Sequence, residues 1–208
     1  TGSENFNKER RYGWFPSISG GWVPTQYDWY RNLLPFNNFL KFRASWGRVG
    51  NDRLKDENGN DIRFPYLTTL GNVSSTWGTG LAENRTGSMN LKWEVSTKTN
   101  FGIDARFFDD KVDMTVDFFH TKTTDIFQRR ANIPDEGGLS NVLPYANIGS
   151  MKSWGMDGTL AYTHTFNKDM ALTVRGNFTH AENEVIYWEQ SGVNYPYQSN
   201  SGVPYKVQ

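Results

Sequence analysis

Three histidines are the side chains best suited to catalysis or metal binding in this chain of 208 residues, which contains no Cys. His120, His164 and His180 all occupy apolar positions of segments in which apolar and polar residues alternate. Metal ligands must converge at one height, yet the predicted strand order separates His120 from His180 by two spacings of ~4.8 Å. Packed or interfacial histidines are therefore expected. No Ser lies in a nucleophile elbow, so we expect neither an enzyme nor a cofactor.

An acidic stretch at residues 56–61 is a second candidate for ion binding, with the sequence Asp-Glu-Asn-Gly-Asn-Asp. Oxygen ligands at alternate positions suit Ca²⁺. Gly59, however, is fourth from Asp56, whereas an EF-hand loop carries its Gly at the sixth position. The spacing favours a plain polar turn and leaves a bound ion as the alternative. Asp109 and Asp110 fall in another predicted turn, where Asp is common for conformational reasons.

Aromatic and polar side chains in the long segments between predicted strands are the candidates for contact with a ligand or a partner. Flat rings stack on the apolar faces of sugars or cover peptide backbones, and neighbouring amides orient the ligand. The alternative is that they pack the loops against each other or against a partner protein. The candidates are Trp77, Asn84, Arg85, Tyr145, Tyr187, Trp188, Tyr195 and Tyr197.

Composition narrows the classes of partner. The 22 Lys and Arg residues balance 22 Asp and Glu residues, so no global field attracts nucleic acid or acidic lipid. No stretch approaches the ~18 apolar residues of a transmembrane helix, and the first residues do not resemble a signal peptide. Transmembrane β-strands escape such hydropathy averages because they need only ~9–11 alternating residues. The alternation must therefore be counted directly.

A period of two predicts the strands that position these side chains. The alternating segments are 12–22, 40–47, 97–107, 112–121, 156–166 and 170–179. Tight turns at 108–111 and 167–169 join two pairs of strands into hairpins. The connections at about 51–97, 124–153 and 184–208 are long. No helical stripe competes, although residues 27–34 are long enough for one or two helical turns.

Short and long connections alternate along the chain, which places the long loops of an antiparallel sheet at one rim. The sequence predicts an all-β fold, an antiparallel up-and-down meander of about six strands within a large transmembrane β-barrel. Residues 1–208 are expected to form a partial barrel with long extracellular loops, because even the smallest barrels have ~8 strands. Pro16, inside the first segment, indicates a strand end, a bulge or an edge.

The aromatic residues, 15% of the chain, fit a membrane interface. Those beside the short turns are Trp22, Phe36, Phe39, Phe107, Phe108 and Phe166, where an interfacial girdle would lie. The opposite face carries charge in mid-strand, at Lys41, Arg43, Lys98, Asp104, Arg106, Asp113, Asp117 and Arg175. Such charge suits a water-filled lumen, but a soluble sheet with one solvated face has the same pattern.

Five segments, in this order, resemble the barrel of the SusC/RagA family, the TonB-dependent outer-membrane importers that work with a SusD-like surface lipoprotein. They are RYGWFPSISGGW at 11–22, LKFRASWGRVGN at 40–51, LKWEVSTKTNFGID at 91–104, VDFFHTKTTDIF at 116–127 and NIGSMKSWGMDGTL at 147–160. The family pattern usually has an Asn-like residue and a Glu in the last segment, where this chain has Ser153, Trp154 and Asp157. That departure leaves the subfamily open.

The resemblance implies a multi-pass location in the outer membrane of a Gram-negative bacterium and a glycan or peptide as the imported nutrient. The partners implied are a SusD-like lipoprotein and the TonB complex, which acts through an N-terminal plug domain. By the same resemblance, Arg43 and Arg106 anchor the plug from inside the barrel. No plug or TonB box is recognised in residues 1–208, so we expect an internal piece of a larger importer.

Two rival functions remain at this point. A secreted all-β carbohydrate-binding module would use the same aromatic residues as a binding platform, with its apolar faces packed in a sandwich. A passive porin or adhesin wall would share the barrel but would not need TonB. The orientation of the apolar face separates the module from the importer, and dependence of uptake on TonB separates the importer from the passive pore.

Overall fold

The computed structural model describes residues 1–56, 59–76, 78–133, 142–167, 169–192 and 195–205. Within these ranges the strands are β1 (Ser17–Trp22), β2 (Asn37–Asn51), β3 (Thr69–Ser75), β4 (Gly78–Arg85), β5 (Glu94–Phe107), β6 (Val112–Arg129), β7 (Tyr145–Asn167) and β8 (Met170–Tyr187). One short helix, α1 (Asp28–Leu33), lies where one or two helical turns are predicted, and 3-10 turns cover Pro24–Gln26 and Pro196–Gln198. No helix in the described part of the chain is long and apolar enough to cross a membrane.

Six of the strands form one antiparallel sheet in the order β1-β2-β5-β6-β7-β8. The predicted meander of six strands is confirmed. Strands β3 and β4 pair only with each other, as an additional hairpin within the long connection between β2 and β5. Its Gly, Ser and Asn residues give no alternation of apolar and polar positions, so the sequence indicates only a loop there.

The register keeps the two faces of the sheet chemically distinct across all six strands. Phe42 pairs with Ile103, Ile103 with Val116, Val116 with Gly158, and Gly158 with Phe178. Because side chains alternate along each strand, every second row continues this apolar face and the rows between continue the charged face.

The first strand is shorter than the alternation predicts, since β1 begins at Ser17 rather than at Tyr12. Pro16 immediately precedes it. The carbonyl of Pro16 still accepts a hydrogen bond from the Arg48 amide at 2.9 Å, but Pro has no amide to continue the ladder. The expectation that Pro16 marks a strand end is confirmed.

Strands β6 and β7 are longer than the alternation predicts. Their register shifts between Thr123 and Ile126, and Asp125 adopts a positive φ of 60°. One extra residue on β6 is followed by one extra residue on β7, because the register shifts again between Ile126 and Phe127. The alternation therefore stops at the bulge although pairing continues to Arg129 and Tyr145.

The described hydrophobic core lies at the long-loop end of the sheet. Phe6, Leu54, Ile62, Leu91 and Trp93 are buried against one another. The first residues of the chain thus fold back onto the segments that follow β2 and precede β5. We call this buried cluster, from which the longer loops emerge, the loop base.

Candidate functional site

The charged face of the sheet is organised by one guanidinium that joins three strands. Arg43 on β2 donates from Nε to Asp104 Oδ2 at 2.9 Å and from Nη2 to Asp104 Oδ1 at 3.0 Å. The same Nη2 donates to Asp117 Oδ2 on β6, also at 3.0 Å. Gly102 lies between Arg43 and Asp117 in the register, and a Cβ there would come within 2.7 Å of the Arg43 Cζ. The absence of a side chain at Gly102 gives the guanidinium its path across β5.

A second arginine on this face lies nearer the short turns. The Arg106 guanidinium is 4.9 Å from the centroid of the Phe39 ring, a cation–π contact. Phe39 shares its parity with Lys41 and Arg43, so it faces the charged side and its expected place in the interfacial girdle is wrong. Phe39 continues the alternation of Lys41 and Arg43 without a register shift between them, so the sequence already carried this orientation. Phe39, Lys41, Arg106 and their neighbours line an open cavity of about 250 Å³.

The opposite face of the sheet is apolar and exposed. The side chains with more than a third of their surface accessible include Ile18, Trp22, Trp46, Phe101, Phe118, Met156, Leu160, Tyr162, Leu172, Val174 and Phe178. Within the described ranges, no second sheet covers them. Soluble monomers seldom expose so large a continuous apolar surface.

The aromatic side chains beside the short turns form contacts as a group. Phe36 stacks on Phe107 and Phe108 with centroid distances of 6.4 and 5.9 Å, and Trp22 stacks on Phe42 at 5.9 Å. Phe36, Phe108 and Trp22 remain exposed on their outer sides. Apart from Phe39, the arrangement fits an interfacial girdle.

One side-chain amide fastens the loop base to the sheet. Asn147 on β7 accepts from the Lys92 amide at 2.9 Å and donates to the carbonyls of Lys92 and Asp125, both at 2.7 Å. The Lys92 ammonium forms an ion pair with Asp125 at 2.9 Å. Leu91 and Trp93, on either side of Lys92, are buried in the core. Three of the segments that carry the family resemblance thus meet at the β6 bulge.

Three of the predicted contact residues line one cavity at the loop end. Asn84, Arg85 and Tyr145 border an open space of about 280 Å³ together with Arg129 and Leu143. Arg85 Nη2 donates to the carbonyls of Arg63 and Phe64 at 3.4 and 3.3 Å. Tyr145 stacks on Phe127 with a centroid distance of 4.6 Å. Arg85 and Tyr145 therefore also have packing contacts within the loop base.

Four other predicted contact residues lie at the end of β8 or after it and are not part of that cavity. Tyr195 and Tyr197 stack in parallel at 5.4 Å, and Tyr197 is 80% exposed. Trp188 packs against Tyr205 at 6.3 Å, and Tyr187 is exposed at the end of β8. Trp77, the remaining candidate, lies outside the described residues.

An ion pair that the sequence did not indicate holds this last segment against β6. The Glu189 side chain is only 4% exposed, and its carboxylate accepts from Arg130 Nε at 2.9 Å. Gln128 Nε2 donates to the Glu189 carbonyl at 2.8 Å. Glu189 is 59 positions from Arg130 and 61 from Gln128, a separation at which short-range sequence patterns indicate no pairing. Its burial, which is rare for an unpaired acid, is visible only in the folded chain.

The residues first considered for catalysis and ion binding remain dispersed. Among the described residues, no group of three His, Asp or Glu side chains is placed to hold a metal ion. Asp56 accepts from the Asn60 amide at 2.7 Å, as in a polar turn, and residues 57–58 of that stretch lie outside the described residues. Asp61 is bonded to Arg53 Nε at 3.1 Å, and this hydrogen bond lowers the pKa of the Asp61 carboxyl.

Comparison with known proteins gives the family. Residues 1–205 match the family described as TonB dependent receptor-like, beta-barrel. TonB-dependent receptor P39 of Formosa agariphila is 34% identical over 89% of the chain, and TonB-dependent receptor SusC of Bacteroides thetaiotaomicron is 28% identical over 88%. The chain spans 17% and 18% of the lengths of these relatives.

Solved structures agree with the sequence relatives. The RagAB peptide importer in the closed-closed state superposes with a TM-score of 0.71 at 25% identity, covering 91% of this chain and 20% of that one. The open-open state gives a TM-score of 0.70 at 26% identity. The resemblance to SusC/RagA proteins is confirmed, and the sheet is part of a large transmembrane β-barrel. The chain belongs to the family of TonB-dependent receptor-like β-barrels.

Proposed function

We propose that this chain forms part of the wall and the external loops of a TonB-dependent nutrient importer in the outer membrane of a Gram-negative bacterium. The observation that carries the proposal is the continuous pair of faces across six strands, one apolar and exposed and the other charged. Lipid would cover the apolar face, and the charged face would line the interior of the barrel.

The nutrient is a glycan or a peptide. The solved relative RagAB is titled a peptide importer, which supports a peptide. The exposed Tyr195–Tyr197 stack supports a glycan as well, since aromatic faces accept the apolar side of a sugar ring. We propose that Tyr187, Trp188, Tyr195, Tyr197, Asn84, Arg85, Tyr145 and Trp77 contact the nutrient or the partner protein.

The partners belong to the same proposal. A SusD-like surface lipoprotein would cover the long loops, and the TonB complex would act through a plug domain outside residues 1–208. Arg106 is the better placed of the two proposed plug anchors, because Arg43 already binds Asp104 and Asp117. Arg106 lies 3.8 Å from Asp110 and borders the cavity near the short turns.

The decisive experiment measures uptake by the parent bacterium. Deletion of the parent gene should abolish accumulation of one class of labelled nutrient, either oligosaccharides or oligopeptides, and deletion of tonB should do the same. Uptake that survives loss of TonB would favour a passive pore. A parent protein that remains monomeric in water without detergent would favour the secreted module.

Contact residues can be tested in the same assay. The double variant Tyr195→Ala/Tyr197→Ala should lower uptake at limiting nutrient by about tenfold, because a lost stacking platform costs ~1–3 kcal/mol. Asn177→Ala, which removes only an exposed partner of Thr159, serves as the control. Equal uptake by the double variant and the control would show that the two tyrosines do not contact the nutrient.

A further inference from the structure

The apolar face changes character towards the long-loop end. One register row contains Trp46, Thr99, His120 and Trp154. The next row outward contains Arg48, Thr97, Lys122 and Lys152 and ends on β8 at Glu184. All of these residues share the parity of the apolar face. Three cationic side chains therefore stand on the lipid-facing side of the sheet, immediately beyond two tryptophans.

The height of this basic row matches the edge of a bilayer. It lies five rows from the row that holds Phe107, Val112 and Tyr162 beside the short turns. Two residues of strand advance ~6.7 Å, and a tilt of ~40° reduces that to about 5 Å of height per row. The basic row is thus about 25 Å above the first apolar row, as thick as the apolar band of an outer-membrane barrel.

The three cations differ in what already neutralises them. Lys152 Nζ binds Glu184 Oε2 at 2.9 Å and lies 5.3 Å from the Trp154 ring centroid. Arg48 and Lys122 are exposed, and neither forms an ion pair with any residue of the described ranges. Lys122 is moreover directly opposite Lys152 in the register, and like charges in such pairs repel. An external anion would pair with Arg48 and Lys122 and would reduce the repulsion between Lys122 and Lys152.

We propose that Arg48 and Lys122, with the Thr97 hydroxyl between them, bind the phosphate of a lipid headgroup in the outer leaflet. The two cations are two strands apart, about 10 Å at the backbone, a separation that their long side chains can bridge through one phosphate. Continuity with the lipid-facing apolar face favours a membrane phosphate over a free anion. This inference rests on the proposed location in the outer membrane.

The test uses the full parent protein purified from outer membranes in detergent. Its dissociation constant for lipid A that carries phosphate is measured by native mass spectrometry, for the parent and for Arg48→Gln/Lys122→Gln. The affinity should fall about fivefold for each cation removed. Lipid A from which phosphate has been removed should bind the parent and the double variant equally.

The matched control is Lys41→Gln/Lys98→Gln, which removes the same charge from the opposite face and should leave the affinity unchanged. Unchanged affinity in the Arg48/Lys122 variant, or competition by inorganic phosphate below millimolar concentration, overturns the inference. If the protein still requires detergent, either result rules out the lipid site but leaves the proposed importer function standing. A parent protein that is monomeric in water overturns both the lipid site and the importer function.

Discussion

Gly102 is the residue on which the charged face most directly depends. A Cβ at this position would lie 2.6 Å from Asp117 Oδ1 and 2.7 Å from Arg43 Cζ. We predict that Gly102→Ala lowers the free energy of unfolding of the parent protein by ~1–3 kcal/mol, because the three-strand ion-pair cluster must separate. Denaturant unfolding in detergent, followed by intrinsic fluorescence, measures the change.

Gly176 provides the matched comparison for that substitution. It also lies in mid-strand, but a Cβ there would meet nothing within 4 Å. Gly176→Ala should therefore leave the unfolding midpoint within ~0.5 kcal/mol of the parent. Similar losses in the two variants would mean that Gly102 does not serve the path of Arg43.

The side-chain amide of Asn147 both donates and accepts hydrogen bonds, so a substitution can remove the donor and keep the acceptor. Asn147→Asp keeps the shape and the acceptor for the Lys92 amide but cannot donate to the carbonyls of Lys92 and Asp125. We predict a loss of ~1–3 kcal/mol in the free energy of unfolding, measured by denaturant unfolding in detergent. Asn177→Asp is the control. Equal stability of the two variants would show that the bulge holds without the two bonds that the amide donates.

At the scale of the elements, regular strands were predictable and irregular ones were not. Strand β5 is paired with β6 without a register shift, and β8 is paired regularly with β7 from Ala171 to Val185. The two register shifts around Asp125 interrupt the alternation in β6 and β7. Phe39, in contrast, follows the alternation of β2, and its expected place in the girdle came from its position beside a short turn. Contacts such as Asn147 with Lys92 join residues 55 positions apart. Local spacing carries no information on such pairs, so the contacts of the loop base could be identified only in the folded structure.

The same elements make a prediction about the two faces. Ile103 lies on the apolar face and Thr115 on the charged face, one row apart in mid-sheet. An arginine at the lipid-facing midplane costs ~2–4 kcal/mol, whereas Thr115→Arg would lie near Asp104 and Asp117. Ile103→Arg should therefore reduce the amount of folded parent protein in outer membranes. Heat-modifiable migration in gel electrophoresis measures the folded fraction, and equal fractions would contradict the assignment of the faces.

At the scale of the whole molecule, the sheet is incomplete in two independent ways. Its apolar face is exposed, and the only strand that pairs with β8 among the described residues is β7. The outer edge of β8 is therefore open over most of its length, although the Val185 backbone forms hydrogen bonds with Gly202 and Val203. An unpaired strand edge can pair with strands of other molecules, and a large apolar surface associates with other apolar surfaces. Relatives that are five to six times as long place both of these features within a larger protein.

Residues 1–208 expressed alone in water should therefore aggregate or require detergent. We expect sedimentation or light scattering to report large particles without detergent and a smaller species when a detergent replaces the lipid. Adding charge at the edge, for example with Thr173→Lys and Asn177→Lys, should reduce pairing between edges but leave the apolar face exposed, so aggregation should persist. A monodisperse, detergent-free monomer of the unmodified chain would mean that the apolar side chains are covered by the chain itself. That result would favour the secreted β-sandwich module over the importer, because only lipid or a second layer of the protein can keep such a face from water.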